Sequence, residues 1–129
     1  MYFPYIRPQE NGNRTDTRWV SLTNTDGNGI IIEASNIFEF SSHHQYNDDF
    51  DGGDSKTQTH TYDIIRRPII NLNINYKQMG VGGDNSWGAK PHSKYTLPVD
   101  TTVYNLEYVI IPFNKKNELD ALSRINIDN

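Results

Sequence analysis

Arg18-Trp19-Val20-Ser21-Leu22-Thr23-Asn24-Thr25-Asp26-Gly27-Asn28-Gly29-Ile30-Ile31-Ile32-Glu33-Ala34 reads as a strand, a turn and a returning strand. In the first arm, Val20 and Leu22 fall on one face and Trp19 on the other, the period-two pattern of a half-buried strand. The middle, Asn24 to Gly29, is rich in Asn and Gly, which tolerate positive φ, and marks a hairpin turn. The second arm, Ile30 to Ala34, reads as buried on both faces.

The same alternation extends downstream. Asn36 to Ser41 sets Ile37 and Glu39 against Phe38 and Phe40 and is expected to be a separate third strand. Ser42 to Lys56, with Asp48-Asp49-Phe50-Asp51-Gly52-Gly53-Asp54, is expected to be a flexible, solvated loop. Thr57 to Ile65 and Ile69 to Lys77 read as another strand pair, with Ile70, Leu72, Ile74 and Tyr76 on one face. Met79 to Pro91 is a glycine-rich loop. Thr101 to Phe113 reads as the longest strand, with Tyr104, Leu106, Tyr108 and Ile110 facing one way. The spacing of Leu119, Leu122 and Ile125 predicts a short C-terminal helix over Lys115 to Ile125. Upstream, Pro4, Pro8 and Asn11-Gly12 make an extended, turn-rich beginning. With no internal repeat and no βαβ alternation, short strands separated by turns predict an all-β fold, an antiparallel β-sandwich.

Composition agrees. Aromatic residues make up 12% of the 129 positions, with Ile and Thr abundant, as on pleated half-buried surfaces. The mean hydropathy of −0.73 is low, but the aromatic content argues against wholesale disorder. The absence of cysteine excludes disulfide scaffolds, cysteine-ligated zinc and thiol chemistry. Twelve Lys and Arg against sixteen Asp and Glu leave a net charge of −4, without the basic surplus that phosphate gripping needs, so no nucleic acid is expected as a partner. No apolar run approaches the roughly 20 residues of a membrane span, so no membrane is expected either. The first residues lack the basic start and apolar core of a signal peptide. A cytoplasmic product, or a segment separated from its address, fits equally.

Few residues carry an explicit catalytic pattern. Gly80-Val81-Gly82-Gly83 fails as a dinucleotide fingerprint, since the third glycine of G-x-G-x-x-G would fall on Asn85. The acidic run at Asp48 to Asp54 lacks the calcium-loop spacing and its closing glutamate. His43, His44, His60 and His92 are dispersed and read as surface residues. Glu10, Glu33, Glu39, Glu107 and Glu118 sit in separate elements, and nothing marks two of them as a catalytic pair.

The loop around Trp87 is more informative. Gly80, Gly82, Gly83 and Gly88 relieve steric limits there, while Asp84, Asn85 and Ser86 are able to hydrogen-bond its backbone. Such a loop holds a tight shape and either presents Trp87 at its tip or plugs the end of the core with it. An exposed indole offers a flat apolar face and one N–H donor, which suits the less polar face of a sugar ring.

Two segments carry a family resemblance. Tyr2-Phe3-Pro4-Tyr5-Ile6-Arg7-Pro8-Gln9-Glu10-Asn11-Gly12, running on to Arg18, resembles the Y-x-P-Y-x-x-P-x-E-N-G-x-x-x-x-x-R segment of bacterial β-galactosidases of glycoside hydrolase family 2. Met79-Gly80-Val81-Gly82-Gly83-Asp84-Asn85-Ser86-Trp87-Gly88 is similar to the M-G-[IV]-G-G-D-[DN]-S-W loop of the same carboxy-terminal, small-chain domain. The resemblance spans residues 2 to 113, so 1–113 is expected to be part of that domain and 114–129 a tail of uncertain role. It implies the later part of a β-supersandwich related to galactose mutarotase folds. It also implies, for Trp87 alone, that the indole stacks on the aglycone of a galactoside; Gly80, Gly82, Gly83, Asp84, Asn85 and Ser86 are the loop support expected from their residue types. The retaining glutamates of the family, and its magnesium, lie in other domains. The resemblance therefore implies no catalytic residue, cofactor or metal here, inactivity of the chain alone, and the remaining domains of the parent enzyme as partners.

Glu10, Asn11, Arg14, Asp16 and Arg18 are expected to fix the amino-terminal segment onto the sheet, since neutral galactosides offer no anion to clamp. If neighbouring strands are missing, exposed edges and apolar faces such as Ile30 to Ile32 predict self-association of the isolated chain. Alternatives from other classes are a freestanding carbohydrate-binding or interaction module and a purely structural assembly domain.

Overall fold

The computed structural model describes residues 11–51, 53–54, 60–114 and 116–117. Strands β1 (Arg14–Thr23), β2 (Gly29–His43), β3 (Asn71–Asn75) and β4 (Tyr108–Phe113) form one sheet, in which β2 lies between β1 and β3 and also pairs with β4. The β2–β3 and β2–β4 ladders are antiparallel. Among the described residues there is no α-helix, only three single 3₁₀ turns. The fold is all-β and consistent with a sandwich-like class, as the strand-forming composition predicts.

The hairpin stands where its turn chemistry puts it. Asn24 N–H donates to the Asn28 carbonyl (2.8 Å) and Gly27 N–H to the Asn24 carbonyl (3.0 Å). Asn24 Oδ1 accepts from the N–H groups of Asp26 (3.0 Å) and Asn28 (2.9 Å), so one side chain satisfies two turn donors. Gly27 takes φ 77°. Gly29 meets a different demand: a Cβ there would lie 1.8 Å from the Leu22 carbonyl oxygen.

The chain separates into two compact units. One unit is built from Thr17–Phe38 and Tyr76–Asn129 and holds the apolar core. Val20, Ile31, Ile32 and Phe38 are buried, with Ile31 and Ile32 each only 1% exposed. Consecutive strand residues point to opposite faces, so this pair is covered on both sides, as the sequence predicts. Ile31 packs against Ile111 and Phe113, which the β4 register (Ile31 opposite Ile111, Gly29 opposite Phe113) places on its face. Each such isoleucine contributes about 1.5–3 kcal/mol by leaving water. Ile30 to Ile32 is therefore not an open apolar face, contrary to expectation; exposed apolar surface lies instead on β4, at Tyr108, Val109 and Ile110. On this strand Ser35 N–H bonds the Glu107 carbonyl (3.0 Å). By alternation, Val109 and Ile111 turn their backbone groups to β2, and Pro112, which has no N–H, faces away where no donor is missed.

The second unit, from Met1–Asp16 and Glu39–Asn75, is built differently. Its buried residues among those described are all polar: Asn11, Glu39, Ser41, His43, Gln45 and Asp49. Burying a polar group is costly unless it is hydrogen-bonded, and several of these groups find partners. Asn13 Nδ2 donates to Glu39 Oε2 (2.8 Å), Asn73 Nδ2 to Ser41 Oγ (3.1 Å), and His43 Nε2 to the Asn11 carbonyl (2.8 Å). The His43 ring also meets Phe50 edge-on, with centroids 5.2 Å apart.

Several expectations are corrected here. The third strand is not separate: β2 runs unbroken through Ser35 and Asn36, because the bond from Ser35 to Glu107 continues the β4 ladder until β3 takes over at Glu39. The acidic stretch is not all solvated loop, since Ser42 and His43 belong to β2 and Asp49 is buried in a 3₁₀ turn over Asn47–Phe50. His43 is a core residue rather than a surface one. From His60 to Ile65 there is no strand; Asp63 Oδ2 takes the His60 N–H (2.9 Å) and closes a 3₁₀ turn over Thr61–Asp63. Thr101 to Glu107 is irregular because Asp100 Oδ1 captures the Thr101 and Thr102 N–H groups, leaving a strand only from Tyr108. The strand expected over Ile69 to Lys77 is present as Asn71–Asn75. Residues 55–59, Glu10 and the helix expected in the tail lie outside the described residues.

Candidate functional site

The loop between β3 and β4 is anchored at Gly80, whose N–H donates to the Tyr95 carbonyl (2.8 Å). Tyr95 in turn closes a 3₁₀ turn over Ser93–Tyr95 by donating to the His92 carbonyl (2.8 Å). Two limbs, Gly80 to Asp84 and Ala89 to His92, thus leave from one base. They touch at Gly83, where a Cβ would lie 2.3 Å from the Ala89 carbonyl oxygen. Only glycine permits that approach. One residue further, Asp84 Oδ1 accepts a hydrogen bond from His92 Nε2 (2.7 Å) and ties the limbs together.

Beyond this tie lies the tip, Asn85 to Gly88. Asn85 Oδ1 accepts the Trp87 N–H (2.8 Å), an Asx turn that bends the chain at its end. Gly88 follows at φ 92°, a conformation a side chain would resist. The Trp87 residue is 93% exposed. It does not plug the core.

The structure thus brings together Gly80, Gly83, Asp84, Asn85 and Trp87 in one pinned hairpin, with distinct roles. Asp84 turns to a side chain across the loop rather than to the backbone. Gly82 has ordinary φ, and a Cβ there would meet nothing within 4 Å, so the loop's shape does not require a glycine at this position. Ser86 is exposed within the tip. His92, Ala89 and Tyr95 are the members that sequence reading missed. The only signal was His92 placed eight residues after Asp84, beside Pro91.

A second feature is a cleft of about 560 Å³ lined by Arg18, Glu33, Asn36, Glu107 and Tyr108 among others. Here Glu33 and Glu107, which read as unrelated, share a face of the sheet, because Glu33 stands opposite Val109 and Ser35 bonds Glu107. Arg18 lines the cleft together with these two carboxylates, so the cleft is of mixed charge. No group of three His, Asp or Glu side chains among the described residues is placed to hold a metal ion.

Comparison with known proteins gives one consistent answer. The family described as the beta galactosidase small chain matches residues 1–110. The chain is 39% identical over 102 residues to a beta-galactosidase of Priestia megaterium, covering 79% of this chain and 9% of that protein. Over 114 residues it is 32% identical to a beta-galactosidase of Streptococcus thermophilus, covering 88% of this chain and 10% of that one. A beta-galactosidase of Halalkalibacterium halodurans is 34% identical over 108 residues, or 81% of this chain and 10% of its own length. The chain therefore spans about a tenth of the length of the curated relatives it matches.

Proposed function

The chain belongs to the beta-galactosidase small-chain family, and from that premise we propose that it serves a β-galactosidase as a non-catalytic segment. It lends Trp87 to the site where terminal β-D-galactose is cleaved from galactosides. The observation that carries this reading is the indole itself, almost fully exposed at the tip of a hairpin whose base and limbs are tied. A large apolar ring held in water by an ordered loop gains nothing for folding; against the apolar face of a sugar it gains stacking. Asn85, Gly83 and Gly88 support the tip, and Gly80 anchors the base.

In this reading the chain forms part of a β-supersandwich of glycoside hydrolase family 2. The acid/base and nucleophilic glutamates, and any magnesium, are supplied by the remaining domains of the parent enzyme. A retaining pair needs carboxylates roughly 5–5.5 Å apart across the scissile bond, and a lone tryptophan cannot replace it. The test is turnover of a chromogenic galactoside by the isolated chain, beside the complete enzyme with and without Trp87→Ala. We expect no turnover by the chain. In the complete enzyme, the variant should raise KM for a disaccharide galactoside about 2- to 12-fold, the equivalent of roughly 0.5–1.5 kcal/mol of ring stacking. Unchanged kinetics with the disaccharide would leave the loop a structural element only.

A further inference from the structure

We infer that Asp84 and His92 are positioning residues that aim Trp87, an inference resting on the reading of Trp87 as a sugar platform. At 93% exposed, the indole has almost no packing to set its direction. Its orientation must come from the backbone that carries it. The limbs are linked by the Gly80–Tyr95 hydrogen bond at the base, the Asp84–His92 bond at 2.7 Å, and the close approach of Gly83 to Ala89, which brackets the tip most tightly. Among the described residues above the base, Asp84–His92 is the hydrogen bond between the limbs; Gly83 and Ala89 touch without one, and the Asn85 turn is local to the tip. Without the Asp84–His92 bond, only the non-bonded Gly83–Ala89 contact would join the limbs above Gly80, and the tip that carries the indole would swing more widely.

The pair is suited to this work. Both side chains are largely exposed, at 80% for Asp84 and 58% for His92, so their bond adds little to global stability. His92 is itself held, because it begins the 3₁₀ turn whose last residue receives Gly80. One partner of the brace is thus fixed to the base and the other precedes Trp87 by three residues.

The test uses the whole chain with Trp19→Phe, which leaves Trp87 as the single tryptophan. Time-resolved fluorescence anisotropy then reports the swing of Trp87 without any sugar. We expect Asp84→Ala and His92→Ala each to raise the amplitude of the nanosecond component about twofold, and the double variant to add nothing further. His92→Gln, which keeps an N–H donor, should restore the parent value. Anisotropy unchanged by either alanine, or additive effects in the double variant, would overturn the brace. In the complete enzyme, KM for lactose measures sugar contact. His92→Ala should raise it about threefold, within the range an exposed ion pair supplies. Equal KM for lactose in the complete enzyme and its His92→Ala variant would overturn the positioning role. A KM for lactose unmoved by Trp87→Ala, with the anisotropy effects intact, would instead overturn the sugar reading while the brace stands.

Discussion

Arg67 grips the buried carboxylate of Asp49 with two parallel hydrogen bonds, Nε to Oδ2 at 2.6 Å and Nη2 to Oδ1 at 2.5 Å. Its own backbone N–H bonds the His44 carbonyl (2.7 Å), and its guanidinium lies 5.1 Å from the Tyr46 ring centroid. Asp49 Oδ2 also takes the Tyr46 N–H (2.7 Å). A stretch that looks like a polar loop is therefore closed by a bidentate pair eighteen residues apart in sequence.

Breaking this pair should cost stability. Asp49→Ala is expected to lower the unfolding free energy by about 1–2 kcal/mol, less than a fully buried pair because the Arg67 side chain is partly exposed. Arg67→Lys should also lower the urea midpoint, since an ammonium cannot make both bonds. Equilibrium urea unfolding of the single and double variants should show strong non-additivity. Additive losses would show that the two side chains act independently.

Acid should act through the same group. The hydrogen bond from Arg67, helped by the Tyr46 N–H, holds the Asp49 carboxyl below its ordinary value of 3.8. Asp100 is lowered likewise, chiefly by the Thr102 hydroxyl and then by the N–H groups of Thr101 and Thr102. With a depressed pKa, the unfolded state binds protons first as pH falls, so this stability is complete above the unfolded value and is lost as pH drops through the folded one. Thermal unfolding between pH 6 and 2.5 should show Tm falling below about pH 4, and falling less steeply in Asp49→Asn. Parallel curves for the two proteins would assign acid sensitivity elsewhere.

His43 should behave as a core residue. Its Nε2 donates to the Asn11 carbonyl, and Leu would fill the space without the donor. His43→Leu is expected to cost about 1–3 kcal/mol by urea titration, the usual penalty for removing a buried hydrogen-bond partner. A change of less than a few tenths would mean the amino-terminal segment is held without this bond.

Two neighbouring glycines should respond oppositely. Gly83→Ala forces a Cβ against the Ala89 backbone, so the limbs must part, and Trp87 emission and anisotropy should change. Gly82→Ala meets open space and should be neutral, or stabilising by about 0.4–1 kcal/mol through a stiffer unfolded chain. Equal effects from both would contradict the close approach of the limbs at Gly83.

Trp87→Ala should leave stability within about 0.5 kcal/mol of the parent, the range of an ordinary surface substitution. A loss of several kcal/mol in urea unfolding would mean the ring packs against something in solution.

Local chemistry alone determined the β class, the turn from Asn24 to Gly29, and the burial of Ile31 and Ile32, because backbone sterics and short-range alternation act between residues close in the chain. The pattern around Gly80 to Trp87 likewise marked the loop and its family. Tertiary structure alone decided that Ser35 and Asn36 continue a strand, that Asp49 and His43 are interior, and that Asp84 meets His92. Each of those outcomes depends on a distant partner: Glu107 for Ser35, Arg67 for Asp49, Asn11 for His43. A polar side chain carries no local mark of whether water or another residue will satisfy it, so only the folded chain could show which.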